Sequence, residues 1–314
     1  GNGAYQSGNI SGASLGLVSI FESLGTGIPF AHVLFPILIG VVAFFFLISG
    51  SYKLIEKALI ILVAVMSLAF IITFLLTKPD MIVLLSGLLN PVIPDGATLT
   101  VIALIGTTVV PYNLFLHAAS VSKKWQSATQ LPEARKDLLI SIPLGGLISM
   151  AILSTAATAF FGQQVSITSA ADIAPSLQPL FGDMASVFIG VGLFAAGISS
   201  AVTAPLAAAF ALSGILNLNK NLHSGSFKAI WIIVLLLGVL GASLGYKPIA
   251  IIWFAQVANG ILLPIVTIFL LWIMNTKTLG DYKNNILQNV LGMIVVLISL
   301  LLSGRSLLSA FGFL

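Results

Sequence analysis

The sequence contains no cysteine and very little charge. Only 7% of its 314 residues are Asp, Glu, Lys or Arg, whereas 58% are hydrophobic. A soluble domain carries about 25% charged residues, so a soluble enzyme and a nucleic-acid-binding module are both excluded. The absence of cysteine excludes disulfides, thiolate metal sites and cysteine nucleophiles. The remaining class is a protein with several spans across a lipid bilayer.

Catalytic motifs in a catalytic context are also absent. The sequence has no P-loop, no GxGxxG dinucleotide fingerprint and no HExxH. The spacing GxSxG occurs at 12–16 and 241–245, but within apolar stretches and not at a strand-to-helix turn, so it does not indicate a hydrolase. We therefore expect neither ATP-driven transport nor enzymatic activity, and we expect no bound cofactor.

Nine apolar stretches are each long enough to cross a bilayer as a helix, which takes about 20 residues. Their hydrophobicity is continuous rather than strictly alternating, so the pattern predicts an all-α integral membrane protein and not a barrel. The predicted spans are 3–24, 29–49, 53–77, 97–121, 137–161, 185–216, 227–245, 248–274 and 286–304. The stretches between them are too short for a soluble core, so residues 1–314 are predicted to form a single transmembrane domain.

The basic residues are distributed unevenly between these spans. Ten of the 13 Lys and Arg residues lie in the second, fourth, sixth and eighth loops, and the other three are Lys78, Lys247 and Arg305. Because basic loops stay in the cytoplasm, the first helix is predicted to start there. This pattern indicates a multi-pass protein of the cell membrane.

Pro111 interrupts the fourth predicted span near its middle. Proline has no N–H, so the carbonyl of Thr107, four residues earlier, loses its helical partner. Four β-branched residues precede the proline, and Asn113 follows it with an amide oxygen. The pattern predicts a helix broken within the membrane, where freed carbonyls and helix ends bind ions in secondary transporters. The alternative is a simple proline kink.

Two further polar residues lie inside predicted spans. His117 follows Pro111 by two turns or less, and it either packs through a hydrogen bond or titrates on an exit path. Gln256 lies two turns before Pro264, which frees the carbonyl of Gly260 and predicts a second interrupted helix.

The first predicted helix carries Asn2, Gln6 and Asn9 on one face. These amides either join neighbouring helices or line a hydrophilic path. A different face has a doubled GxxxG pattern, which is typical of close helix packing and is formed by Gly8, Gly12 and Gly16.

The run Thr-Thr-Val-Val-Pro-Tyr-Asn-Leu-Phe-Leu-His, at 107–117, resembles the sixth-helix motif of the Nramp (natural resistance-associated macrophage protein) family of divalent metal transporters. Weaker matches follow in the family's order at 52–57, 195–200, 255–257 and 263–264. The likeness extends from the family's third helix to its eleventh. We therefore expect two further helices of the family ahead of Gly1.

The resemblance implies a LeuT-like fold of two inverted five-helix repeats. Residues 3–77 would form a partial first repeat, 97–274 a complete second repeat, and 286–304 an additional C-terminal helix. The implied function is a secondary transporter that moves divalent cations such as Mn²⁺ or Fe²⁺ by alternating access. The metal is then the substrate and not a cofactor.

The resemblance also implies site residues. The family's carbonyl ligand corresponds to Thr107, its metal-binding Met to Val110, and its tenth-helix Gln to Gln256. From the residues themselves, Asn113 adds an oxygen beside the break.

The implied transport pathway departs from the family at several positions. His117 matches the family's sixth-helix His, but Tyr112 replaces another His. Gln6 and Asn9 stand where the family has acidic residues of its proton path. These departures predict weak or absent proton coupling. The missing sulfur at Val110 favours a harder ion such as Mg²⁺.

Two other functions remain open. A LeuT-like carrier of a small organic solute, such as an amino acid, is one of them, because unwound helix ends bind carboxylates as readily as they frame cations. The second is a non-transporting, degenerate membrane protein. It is favoured by the absence of the family's first-helix Asp-Pro-Gly-Asn motif from this sequence.

Overall fold

The computed structural model describes residues 1–310 except 50–52, 91, 93, 95, 109, 164–166, 168 and 220. Helices account for all of the regular secondary structure in these residues. They are α1 (Asn2–Ser23), α2 (Ala31–Ser49), α3 (Lys53–Thr77), α4 (Met81–Leu89), α5 (Thr98–Thr108), α6 (Pro111–Lys124), α7 (Leu131–Phe160), α8 (Gln178–Phe181), α9 (Ala185–Ile215), α10 (Gly225–Ala242), α11 (Pro248–Ile273) and α12 (Ile286–Ala310).

Every predicted span corresponds to helix in the structure, and the fourth corresponds to the pair α5 and α6. The largest differences in bounds, six residues each, are at the end of α12, which is Ala310 rather than 304, and at the start of α7, which is Leu131 rather than 137. The early start of α7 is caused by a capping box formed by Ser127 and Gln130, which starts a short 3₁₀ turn that continues into α7. Glu133 and Arg135 therefore lie in the first turns of this helix and not in a loop.

Six helices in the described part of the chain are long and apolar enough to cross a membrane, judged by length and composition. The apolar α5 and α12 are shorter within their described residues. Large apolar side chains are exposed on many helices, including α7, whose Leu139 is 75% exposed. This architecture fits an integral membrane protein, because lipid covers such surfaces.

Helix α1 lies at the centre of the fold. It contacts α2, α9, α10 and α11, and its Ile10 and Ala13 are fully buried. Gly16 permits the closest approach, because an added Cβ there would meet the backbone of α9 at Gly190 and Phe194. The small residues of α1 thus explain both its central position and its modest hydrophobicity.

Four prolines lie inside helices that continue through them: Pro36 in α2, Pro143 in α7, Pro205 in α9 and Pro264 in α11. Pro205 in α9 leaves the Ala201 carbonyl without its helical partner, and Gln6 Nε2 of α1 donates to that oxygen at 2.8 Å. Pro264 in α11 has the same effect on Gly260.

The prediction that α11 is interrupted at Pro264 is wrong. The helix runs unbroken from Pro248 to Ile273. The Gly260 carbonyl, which Pro264 deprives of its N–H partner, accepts a hydrogen bond from the Ser303 hydroxyl of α12 at 2.8 Å. A neighbouring helix therefore satisfies the freed group, and no opening for an ion is created.

Removing this hydroxyl is expected to destabilise the packing of α12 on α11. Ser303→Ala leaves a buried carbonyl without a donor, which costs about 1–3 kcal/mol. Thermal unfolding in detergent measures the effect. In the double variant Ser303→Ala with Pro264→Ala, the restored N–H of residue 264 satisfies Gly260, so the cost of losing Ser303 is expected to shrink. Equal costs in the two backgrounds would contradict this explanation.

Candidate functional site

The fourth predicted span is broken where the sequence predicted it. Helix α5 ends at Thr108 and α6 begins at Pro111. Val110 has extended backbone angles, with φ −84° and ψ 121°, so helical geometry does not pass through it. Residue 109 lies outside the described residues. The alternative of a simple kink in a continuous helix is therefore wrong.

The two helix ends at this break have opposite polarity. The last carbonyls of α5 have no N–H partners in their own helix and give this end a partial negative charge. The first N–H groups of α6 give the other end a partial positive charge. The Asn113 N–H is already used, because it donates to the Val110 carbonyl at 3.0 Å. The carbonyl end suits a cation, and the N–H end suits an anion.

Thr107 supplies its carbonyl to the negative end. Its hydroxyl donates to the Leu104 carbonyl at 2.6 Å and is thus used within α5. Among the described residues no side chain donates to the Thr107 carbonyl. This distinguishes it from the carbonyls of Ala201 and Gly260, which side chains of neighbouring helices satisfy.

Close packing of α5 on α11 brings Gln256 to this end. An added Cβ on Gly106 would meet the Gln256 carbonyl oxygen, and would lie 2.8 Å from the Gly260 nitrogen. Thr107 follows Gly106 directly, so the structure places Thr107 and Gln256 on touching helices. The half-buried Gln256 accepts a weak hydrogen bond from Asn259 at 3.4 Å.

Val110 lies at the break but its side chain is directed into the protein. It is 3% exposed and forms a small cluster with Ala204 and Ala207 of α9. We call these three residues the Val110 cluster. Tyr5 of α1 and Leu116 of α6 pack against it. The cluster fixes the position of the break against α9 and α1.

The remaining predicted residues on α6 are exposed where they are described. Asn113 and His117 both have exposed side chains, and the Tyr112 side chain lies outside the described part of the structure. A cavity of ≈ 450 Å³ is lined by this part of α6 and by α9, with Phe115, Ala119 and Phe210 among its lining residues. His117 does not line this cavity.

Gln6 and Asn9 are hydrogen-bonded to each other. Gln6 is fully buried, whereas Asn9 is half-buried and donates to Gln6 Oε1 at 3.3 Å. The interhelical role that the sequence left open for these amides is thus observed for Gln6. Sequence reasoning missed its partner, although the proline rule applied to Pro205 identifies Ala201 as a freed carbonyl.

Neutral oxygens dominate the surroundings of the break. In the described ranges, no group of three or more His, Cys, Asp or Glu side chains is placed to hold a metal ion. The available donors are backbone carbonyls and side-chain amides, which are ligands suited to hard cations.

Comparisons with known proteins give a consistent result. The family model described as "Natural resistance-associated macrophage protein-like" (Nramp) matches residues 1–309. The chain is 27% identical to the divalent metal cation transporter MntH of Caldanaerobacter subterraneus, over 93% of this chain and 69% of that protein.

Two other relatives named divalent metal cation transporter MntH show the same identity of 27%. The match to the Clostridium acetobutylicum protein covers 76% of this chain and 56% of that protein. The match to the Klebsiella pneumoniae protein covers 90% of this chain and 70% of that protein. The matched region is therefore between about half and 70% of each relative's length.

Proposed function

The chain belongs to the Nramp family, and from that premise we propose that it serves in a secondary transporter of divalent metal cations. The observation that carries the proposal is the break between α5 and α6, with the Thr107 carbonyl at its negative end. The names of the relatives, which are divalent metal cation transporters, support the same substrate class. The membrane is proposed to be the cell membrane.

The proposed ion site combines oxygens from α5, α6 and α11. The Thr107 carbonyl and the Gln256 side chain belong to touching helices and are proposed to bind the ion together, and the exposed Asn113 is proposed to add an amide oxygen at the start of α6. Val110 lies in the break and is part of the proposed site through its backbone position. Its side chain packs in the Val110 cluster. A site with oxygens and no thiolate or thioether suits Mg²⁺ as well as Mn²⁺.

The proposed mechanism is alternating access in a LeuT-like fold. Residues 3–77 belong to one repeat and 97–274 to the other, and the broken helix lies in the second. Tyr112 and His117 on α6, with Gln6 and Asn9 on α1, are proposed to line the path. Because Gln6 and Asn9 are neutral amides, proton coupling is proposed to be weak or absent.

A second candidate function is carriage of a small carboxylate solute. The N-terminal end of α6 supports it, because the unpaired N–H groups of a first turn attract anions. The same break would then bind the carboxylate at α6 rather than a cation at α5.

Uptake into liposomes tests the proposal. The protein in full, as its gene encodes it, is expected to accumulate Mn²⁺ or Mg²⁺ in proteoliposomes well above empty liposomes. Uptake of none of Mn²⁺, Mg²⁺ or Ca²⁺ would contradict a metal transporter. Thermal stabilisation by amino acids but not by metals would then favour the carboxylate carrier, and a response to neither would favour a non-transporting protein.

A further inference from the structure

Three polar groups form a hydrogen-bonded relay that joins α9 to α1. Pro205 leaves the Ala201 carbonyl without an N–H partner. Gln6 Nε2 donates to this carbonyl at 2.8 Å, and Asn9 Nδ2 donates to Gln6 Oε1 at 3.3 Å. The relay thus begins at a backbone acceptor and ends at the side chain of Asn9.

Chemistry fixes the direction of this relay. A carbonyl oxygen only accepts, so Gln6 must present its nitrogen to Ala201 and its oxygen to Asn9. Asn9 must then present its nitrogen to Gln6, which leaves Asn9 Oδ1 directed away from the pair. Within the described ranges, no group donates a hydrogen bond to Asn9 Oδ1.

Packing holds the relay in this orientation. The Gln6 side chain is fully buried, and an added Cβ on Gly238 of α10 would meet its Cγ. Gln6 therefore has no space in which to rotate, and its amide cannot reverse without losing the bond to Ala201. A buried carbonyl without a donor would cost about 1–3 kcal/mol, so the observed direction is strongly favoured.

The end of the relay lies one turn of α1 from a residue that contacts the break. Asn9 is one turn along α1 from Tyr5, and residues four apart share a helix face. Tyr5 packs against the Val110 cluster at the break. The half-buried Asn9 is thus carried on the face of α1 that includes a contact to the break.

We propose that Asn9 Oδ1 is an additional oxygen ligand for a partly hydrated divalent cation on its way to or from the break, and that Gln6 is the residue that positions it. The inference rests on the proposed function, because it requires a cation that passes the break. An acceptor held without a donor attracts a cation and repels a carboxylate. Pro205 sets the direction of this acceptor, because it frees the Ala201 carbonyl that orients Gln6.

Asn9→Leu tests the oxygen, because leucine has a similar shape and no polar atom. The KM for Mn²⁺ uptake is expected to rise about tenfold, which corresponds to about 1.4 kcal/mol. Ser19→Ala is the matched control. It also removes a hydrogen bond from α1 to α9, between the Ser19 hydroxyl and the Ser186 carbonyl at 3.1 Å, and it is expected to leave KM unchanged.

Gln6→Glu tests the positioning role through a pH profile. A protonated carboxyl donates to Ala201 and accepts from Asn9, as glutamine does, but an ionised one has no donor for Ala201. The KM of the variant relative to the unaltered protein is therefore expected to rise as the pH is raised. Among the helices that pack on α1, α9 and α11 have no titratable side chains, α10 has only Lys228 and α2 only His32, while α1 itself has Tyr5 and Glu22.

The outcomes separate this inference from the proposed function. If the unaltered protein takes up Mn²⁺ and Asn9→Leu has the same KM, the additional ligand is overturned and the transporter stands. If the KM ratio of Gln6→Glu is independent of pH, the positioning role of Gln6 is overturned. If the unaltered protein takes up no divalent cation, both the transporter and the additional ligand are overturned.

Discussion

Pro111→Ala is expected to lower divalent metal uptake about 100-fold. Alanine supplies the N–H that Pro111 lacks, so the Thr107 carbonyl regains a helical partner and is lost to the ion. It also removes the restriction on the backbone of Val110. Alanine favours a helix over proline by about 3 kcal/mol, which is enough to join α5 and α6 into one helix. Initial rates of radioactive Mn²⁺ uptake into proteoliposomes measure the loss.

Pro264→Ala is the matched control for this variant. Helix α11 is already continuous through Pro264, and the Gly260 carbonyl already has Ser303 as its donor. We expect Mn²⁺ uptake to stay within about twofold of the unaltered protein, because the new N–H creates no new helical geometry. Equal losses in the two variants would show that proline removal, and not closure of the break, causes the effect.

Gly106→Ala is expected to lower the thermal stability of the protein. It is also expected to reduce Mn²⁺ uptake by more than about tenfold. The added Cβ would meet the Gln256 carbonyl oxygen, which is backbone and cannot rotate away. Overpacking of this kind costs about 1–3 kcal/mol and forces α5 and α11 apart. The separation would move Thr107 away from Gln256. Thermal unfolding and Mn²⁺ uptake measure the two effects.

Gly146→Ala is the control for the glycine variant. Gly146 lies in α7, where an added Cβ meets no atom within 4 Å. Because alanine is the better helix former by about 1 kcal/mol, this variant is expected to be as stable as the unaltered protein or slightly more so. Normal uptake by Gly106→Ala would contradict the close α5–α11 contact that positions the proposed site.

The prolines show how much of the fold can be predicted from the sequence. The rule used is that a proline deprives the carbonyl four residues earlier of its helical N–H partner. It located the break at Val110 and Pro111, where the local clash and the missing N–H follow a run of four β-branched residues. The same rule failed at Pro264, because the outcome there depends on Ser303, which lies on another helix. A freed carbonyl can be read from the sequence, but its donor is set by tertiary packing.

The sequence also did not predict which way the side chains at the break point. Val110 was assigned to the metal site by resemblance. Its side chain is nevertheless buried in the Val110 cluster, because the small side chains of Ala204 and Ala207 on α9 leave space for it. Whether it also lines an ion path stays a prediction. The start of α7 was readable, since Ser127 and Gln130 have the spacing of a capping box. Its charged first turns had favoured a loop instead.

Locating a bound metal ion tests the central claim most directly. A structure of the full protein with Mn²⁺, phased on the anomalous scattering of manganese, shows where the ion binds. We expect a manganese peak about 2.0–2.6 Å from the Thr107 carbonyl oxygen, at the break between α5 and α6. An ordered manganese ion elsewhere among the helices, with no ion beside Thr107, would contradict the account.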